Sequence, residues 1–240
     1  MAQNQLEAAV RTGLSVLKSL GISLPERPAR LHVLAELAET KTAVKGRSPE
    51  DFLNLPVMTD PARKAQVDVM ATITSTVYWT APNLLPIILC RLMRIFKKHG
   101  NTAFAPYVYA GYGFILCTLG DMDTGYQYGQ MALALLDRLN APKYGPRTVM
   151  VVNTFIRHWK EHARNEPPAM LEAYHHSLEQ GDIEFAGHLL MVRGYTLFLL
   201  AAPLNDLDTE MQNNRESLTR LGQISNLNVA RIYHQAILNL

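Results

Sequence analysis

The sequence predicts an all-α protein, a right-handed α/α solenoid of about eleven helices built from degenerate helical hairpins. Apolar residues recur with the period of an α-helix along most of the chain. Glycine-aspartate or proline breaks separate these periodic segments. No segment sustains the period-two alternation of a strand. The best strand candidate, the valine and threonine cluster from Thr148 to Thr154, has helical patterns on both sides, so we expect a helix there as well.

Start and stop signals divide the first part of the chain. Ser48 and Asp60 are each followed by proline, the combination of a cap and a first helical residue. Gly21 ends the first helix, with prolines in the turn that follows. The predicted segments are about Gln3 to Leu20, Ala29 to Val44, a short helical turn from Ser48 to Leu53, Asp60 to Trp79, and Asn83 to Lys98.

A central hairpin, about Phe104 to Leu119 and Met122 to Leu139, is the clearest repeat. A tetratricopeptide-like helix-turn-helix unit of roughly 34 residues puts small Gly113 and Ala132 at its close-contact positions. It also puts Gly120-Asp121 at the turn. The same dipeptide returns later in the chain as Gly181-Asp182. The remaining predicted helices are about Pro146 to Arg164, Pro168 to Gln180, Ile183 to Ala202, Asp206 to Leu221, and one that begins near Asn226.

Composition excludes several classes of protein. The 240 residues are 48% hydrophobic and 18% charged, with a net charge of +2, which describes an ordered globular protein and gives no argument for nucleic acid. The two cysteines lie in apolar helical runs, which favours a reducing cytoplasm over a disulfide framework. The N-terminus has no secretion signal. The longest apolar runs, Leu84 to Cys90 and Gly194 to Leu204, are too short to cross a bilayer.

The sequence carries no common catalytic motif, so we expect a non-enzyme without a cofactor. His158 and His162 lie one helical turn apart and could chelate a metal. Glu161, however, points about 100° away around a helix, and no third ligand is identifiable. We therefore interpret this segment as a polar helix end and predict no tight zinc site.

Two further groups of side chains have a structural and a functional interpretation. Arg91, Arg94 and Lys98 form a basic stripe, which we interpret as a solvated face rather than a site for an anion or an acidic peptide. The central hairpin is rich in tyrosine, which favours core packing over a binding groove, although tyrosine is also frequent in binding hot spots. The hairpin tyrosines are Tyr107, Tyr109, Tyr112, Tyr126 and Tyr128.

In such repeats the first helix of each pair faces the concave side. Aligning the first helices on Gly113 turns Tyr107 and Phe114 inward. The candidate residues of a concave binding surface are Tyr107, Tyr112, Phe114, Tyr126, Arg147, Met150, Arg157, His188 and Tyr195.

Four stretches of the chain resemble one region of very large bacterial signalling proteins. They run from Val16 to Pro28 (VLKSLGISLPERP), Tyr109 to Leu139, Leu178 to Leu190, and Tyr233 to Leu240. Those proteins join a serine/threonine kinase-like domain, a STAND-class AAA-type ATPase, a tetratricopeptide-like helical region, and GAF and sensor histidine kinase modules. The resemblance falls in the helical region. It implies a sensor or scaffold segment between an ATPase switch and an output kinase, and no catalytic residue is carried over.

Counting helices outward from the central hairpin, with the short turn included, makes the first helix the second arm of a pair. The last helix then becomes a first arm without a partner. We therefore expect one helical-repeat domain over residues 1–240, cut from a longer polypeptide.

Three functions remain open. The first is a non-catalytic module that binds a protein segment or a neighbouring domain and relays the event to an ATPase or kinase. The second is a small-molecule sensor with an enclosed aromatic pocket in the 104–140 hairpin, lined by Tyr107, Tyr112, Phe114 and Tyr126. An all-α enzyme is the least favoured.

Overall fold

The computed structural model describes residues 2–240, and within that range the chain forms twelve α-helices and no β-strand. The prediction of an all-α protein is confirmed. None of the helices in these residues is both long and apolar enough to cross a membrane. The helices are α1 Ala2–Ser19, α2 Arg30–Val44, α3 Pro49–Leu53, α4 Pro61–Thr80, α5 Leu84–His99, α6 Ala105–Thr118, α7 Met122–Leu139, α8 Gly145–Phe155, α9 Glu166–Glu179, α10 Ile183–Leu199, α11 Leu204–Arg220 and α12 Ile224–Leu238.

The helix boundaries follow the local signals of the sequence. The Asp60 carboxylate accepts hydrogen bonds from the N–H groups of Ala62 and Arg63, at 2.9 and 3.2 Å, at the start of α4. At the start of α7 the Asp121 carboxylate accepts from the N–H group of Thr124 at 3.2 Å. These bonds satisfy N–H groups that have no partner inside the helix. A capping aspartate after a glycine or before a proline therefore predicts these two starts correctly.

The helices stack as an α/α solenoid. Helices α6, α8, α10 and α12 pack in succession along one layer, and α7, α9 and α11 pack outside them. At the N-terminal end α1 packs against α4 and α2 against α5, while the short α3 packs against α7.

One predicted helix is shorter than expected. The segment from Pro146 to Arg164 is helical only as far as Phe155, and two 3₁₀ turns follow. Ile156, the next residue, is completely buried. Its side-chain carbons lie 3.2 Å and 3.0 Å from the positions that a Cβ would occupy at Gly113 and Gly129. Ile156 therefore fills the space that these two glycines leave on α6 and α7, and the helix ends where the chain turns to place it there.

The buried side chain of Asn101 links α3 to α6. Its Nδ2 donates to the carbonyl of Phe52 at 2.8 Å, and its Oδ1 accepts from the hydroxyl of Tyr109 at 2.5 Å. Its backbone N–H donates to the carbonyl of Pro56, and its carbonyl accepts from the N–H of Met58, both at 2.8 Å. All the polar groups of Asn101 thus have partners, as burial requires.

The basic stripe on α5 is not a solvated face. Arg91 and Arg94 both form ion pairs with Glu36 on α2. Arg94 also donates to the Thr40 hydroxyl at 2.5 Å and to the Glu36 carbonyl at 3.2 Å. Only Lys98 of the three is exposed. The expectation was wrong because α2 covers this face, and no helical period shows which element packs against it.

The glycine contacts between α6 and α7 give a stability prediction. A methyl group at Gly113 would lie 2.7 Å from the carbonyl oxygen of Gly125 and 3.2 Å from the Ile156 side chain. Since the backbone of α7 must then move away, Gly113→Ala is expected to lower the free energy of unfolding by roughly 1–3 kcal/mol, in spite of its better helix propensity. Urea denaturation measures the change.

Gly145→Ala is the matched control. Gly145 has helical dihedral angles, φ −55° and ψ −59°, and no atom lies within 4 Å of an added Cβ. The free energy of unfolding of the Gly145→Ala variant should equal that of the wild type or exceed it by up to about 1 kcal/mol. Equal effects of the two substitutions would contradict the close contact between α6 and α7.

Candidate functional site

A partly enclosed cavity of about 230 Å³ lies on the inner side of the solenoid. Helices α4, α5, α6, α8 and α10 all contribute side chains to its wall. None of its lining residues, all of which lie in the described range, is an aspartate, glutamate, lysine or arginine. Aliphatic side chains and methionine fill the gaps between aromatic rings, and those rings belong to Tyr78, Trp79, Tyr107, Phe114, Phe155, Phe185 and Tyr195.

Some of the sequence-predicted residues meet in this cavity. The first helices of three consecutive pairs, α6, α8 and α10, each place predicted residues in its wall. The alignment on Gly113 thus found the inward face of these helices. The predicted residues that line the cavity are Tyr107, Phe114, Met150, His188 and Tyr195.

Two predicted tyrosines lie elsewhere. Tyr112 is 3% exposed and packs edge-on against Tyr128, with ring centroids 5.2 Å apart. It lies five positions after Tyr107, on the side of α6 that faces α7, whereas Phe114 is seven positions after Tyr107 and shares its face. Tyr126 donates its hydroxyl to Glu161 at 2.8 Å. The cavity is therefore formed between five helices and not within the 104–140 hairpin.

The two predicted arginines do not line the cavity. Arg147 donates from Nε to the Asp182 carboxylate at 2.8 Å, and its guanidinium lies 4.3 Å from the centre of the Phe185 ring. This cation–π contact fixes one ring of the wall. Arg157 donates from Nε to Glu161 at 2.8 Å. Both side chains are thus engaged with carboxylates and do not line the cavity.

Sequence analysis missed the contribution of α4. Tyr78 and Trp79 line the cavity near the end of this helix, and they are 47% and 56% exposed. The buried stripe of α4 includes Met70, Ile73 and Val77, so this adjacent aromatic pair lies outside it. The sequence did contain a signal for this contribution, because Tyr78 and Trp79 are large aromatic residues that the core stripe of α4 does not include.

Trp79 and His188 stand at the mouth of the cavity. Their ring centroids are 6.0 Å apart, so α4 approaches α10 across the inner surface. His188 is held by Asn226, which lies 3.1 Å from its Nδ1, and its Nε2 lies 3.8 Å from the Glu184 carboxylate. The nearby imidazole of His188 is the main cause of the lowered pKa of Glu184. Outside the mouth, an open groove of about 610 Å³ shares Trp79 and His188 and reaches Ile224.

The phenols of Tyr107 and Tyr195 are neutral at physiological pH. Burial raises the pKa of Tyr107 to about 12, against a lowering by Arg147, and Glu184 and Tyr78 add to the rise. Burial likewise raises the pKa of Tyr195 to about 12, with a contribution from Tyr78. Hydroxyl groups in this state can donate hydrogen bonds to a ligand. The cavity can therefore hold a largely apolar molecule, and a phenol can donate a hydrogen bond to a polar atom of that molecule.

The remaining chemical candidates do not form a reactive centre. His158 and His162 lie outside the α-helices, and the Nδ1 of His162 accepts a hydrogen bond from the N–H of Arg164 at 3.1 Å. Among residues 2–240 no group of three or more histidine, cysteine, aspartate or glutamate side chains could hold a metal ion. Burial raises the pKa of Cys90 to about 11, so its thiol is protonated and a poor nucleophile.

One buried carboxyl group, that of Glu166, lies outside the cavity wall. Glu166, the first residue of α9, is 4% exposed, and its Oε1 has no hydrogen-bond partner in the described chain. His158 Nδ1 lies 4.0 Å from it. Burial raises the pKa of Glu166 to about 7, against a lowering by Arg157 and with a further rise from Glu161. Burial also lowers the pKa of His158. Burial therefore disfavours the charged form of both groups.

No protein-family model matches the chain, and no curated protein matches it in sequence. The geometry of the cavity is therefore the principal guide to function.

Glu166 gives a prediction for the pH dependence of stability. Its pKa in the folded chain is about 7 and the usual value is 4.5, so folding favours the protonated form. The stability that this group contributes is complete below pH 4.5, is lost as the pH rises through 7, and stays lost above. The glutamine of the Glu166→Gln variant cannot ionise. We therefore expect the variant to have a higher free energy of unfolding than the wild type at pH 8, by on the order of 1 kcal/mol. Near pH 4.5 the two free energies of unfolding should be equal.

Urea denaturation at the two pH values measures this difference. His158 titrates in both proteins, so subtracting the wild type from the variant isolates Glu166. Glu172→Gln removes the same charge at an exposed position of α9 and should show no such pH-dependent gain. A gain of Glu166→Gln at both pH values would contradict the assignment.

Proposed function

We propose that this protein is a non-catalytic helical-repeat sensor module that binds a small apolar molecule in the cavity between α4, α5, α6, α8 and α10. The observation that carries the proposal is the wall of this cavity, in which seven aromatic rings surround about 230 Å³. Cavities with apolar walls and few polar groups are typical of small-molecule sites. The absence of charged side chains from the lining argues against acid-base chemistry inside it.

The size of the cavity limits the ligand. An apolar cavity of roughly 150 Å³ stays dry and binds benzene. A volume of about 230 Å³ is sufficient for one or two fused rings or a short branched chain. Ligands of that size bury nearly all of their surface only in an enclosed site, and Trp79 and His188 partly close this one.

Binding of a ligand would change the balance of solenoid conformations. The cavity wall joins α4 to α10, which are distant in the array and approach each other at Trp79 and His188. A ligand that contacts both helices binds best when they are close, so it stabilises the more tightly curved form of the solenoid. The resemblance to the helical region of bacterial signalling proteins suggests that this change is relayed to an ATPase or kinase domain.

A protein segment is the second candidate ligand. The open groove outside the mouth supports it, because this groove runs past Trp79 and contains the exposed side chains of Leu6 and Ile224. A segment lying in this groove would place one apolar side chain in the cavity. It would lose affinity on Ile224→Ser, whereas a small molecule inside the cavity would not.

Blocking the cavity tests the proposal. Ser75 on α4 is the smallest polar residue of the wall, and Ser75→Phe is expected to fill part of the cavity. NMR titration of ¹³C-methyl methionine with naphthalene should shift the methyl signals of Met150 and Met191, which line the cavity. These shifts should be saturable in the wild type and reduced at least tenfold in apparent affinity in Ser75→Phe.

Thr72→Phe provides the control, since Thr72 lies on the same helix but is exposed. It should bind naphthalene as the wild type does. Equal shifts at all ten methionines, or unchanged binding by Ser75→Phe, would contradict the proposed site.

A further inference from the structure

Three tyrosines line the cavity, and they come from three different helices. Tyr78 is on α4, Tyr107 on α6 and Tyr195 on α10. Tyr107 and Tyr195 are half-buried, and Tyr78 stands nearer the mouth.

Two tyrosine hydroxyls of the described chain donate hydrogen bonds to protein groups. Tyr109 donates its hydroxyl to Asn101 and Tyr126 donates to Glu161. Within residues 2–240 the hydroxyls of Tyr78, Tyr107 and Tyr195 form no hydrogen bond to another protein group. A polar group inside an apolar cavity is unfavourable unless it forms a hydrogen bond. A ligand can supply that partner.

The surrounding charges favour an uncharged ligand. Arg147, which packs on the wall residue Phe185, is paired with Asp182 at 2.8 Å. Glu184, at the mouth, faces His188 at 3.8 Å. A charged ligand would leave water and find no unpaired opposite charge inside, which is strongly unfavourable.

The shape of the wall favours a flat ring. The rings of Tyr107 and Phe185 and the thioethers of Met150 and Met191 line the same space. Aromatic side chains stack on or pack edge-on to an aromatic ligand, and methionine sulfur makes favourable contacts with ring edges.

We propose that the ligand is an uncharged molecule of one or two fused aromatic rings with one hydrogen-bond acceptor atom, to which the hydroxyl of Tyr107 or of Tyr195 donates. This inference rests on the proposed function and specifies the chemical class of its ligand. The aromatic rings and the methionines of the wall enclose the rest of the molecule.

A pair of isosteric probes separates the hydrogen bond from the fit of the ring. Quinoline has one acceptor nitrogen, and naphthalene has the same shape without it. Affinities for both are measured by the methionine-methyl titration at pH 7.5, for the wild type and for the double variant Tyr107→Phe/Tyr195→Phe. We expect the ratio of quinoline affinity to naphthalene affinity to fall about fivefold in the double variant, as the loss of one net hydrogen bond predicts.

Tyr112→Phe is the matched control. It removes a hydroxyl from α6 outside the cavity and should leave the ratio unchanged. Naphthalene binding by the double variant shows that its cavity is intact. N-methylquinolinium and 2-naphthoate, the charged counterparts, should each bind at least tenfold more weakly than quinoline.

The outcomes distinguish this inference from the proposed function. An unchanged ratio in the double variant, with naphthalene still bound, would overturn the tyrosine assignment and leave the cavity as a ligand site. Tighter binding of either charged probe would overturn the uncharged class. Failure of the wild type to bind naphthalene would contradict the proposed function itself, because naphthalene requires only the apolar cavity.

Discussion

The close approach of α6 and α7 determines where α8 ends and how the residues after it pack. The Gly113 backbone lies so near the carbonyl of Gly125 that an added Cβ would be 2.7 Å from it. Because side chains are absent on that face, Ile156 can enter beside the two helices and is completely buried there. The entry of Ile156 coincides with the end of α8. The preceding residue, Phe155, lines the cavity and packs on Phe114 with ring centroids 4.5 Å apart.

Polar side chains define where neighbouring helices meet in the N-terminal half. Glu36 joins two arginines of α5 to α2, and Asn101 joins the α3 segment to the start of α6. Apolar packing alone allows helices to slide against each other, whereas these bonds have one satisfactory arrangement. The C-terminal half has smaller apolar clusters, and Arg193 pairs there with Glu210 between α10 and α11. The cavity lies where the two halves meet.

Local patterns in the sequence predict most of the fold and part of the site. Capping aspartates and glycine breaks locate the helices, and the alignment on Gly113 correctly turns Tyr107 and Phe114 inward. Properties that depend on distant elements were not predictable in this way. The end of α8 depends on Ile156 filling space on two other helices, and the burial of the basic stripe depends on α2. Tyr78 and Trp79 reach the cavity because the solenoid curves back on itself, which one helix cannot reveal.

Five helices enclose an apolar cavity that is open to ligands. Diffraction from crystals pressurised with xenon tests this arrangement, because xenon enters apolar cavities and scatters strongly. We expect one well-occupied xenon site between Tyr107, Met150 and Tyr195, and no xenon at this site in Ser75→Phe. A cavity filled by hydrogen-bonded water, or collapsed so that no xenon binds, would contradict it.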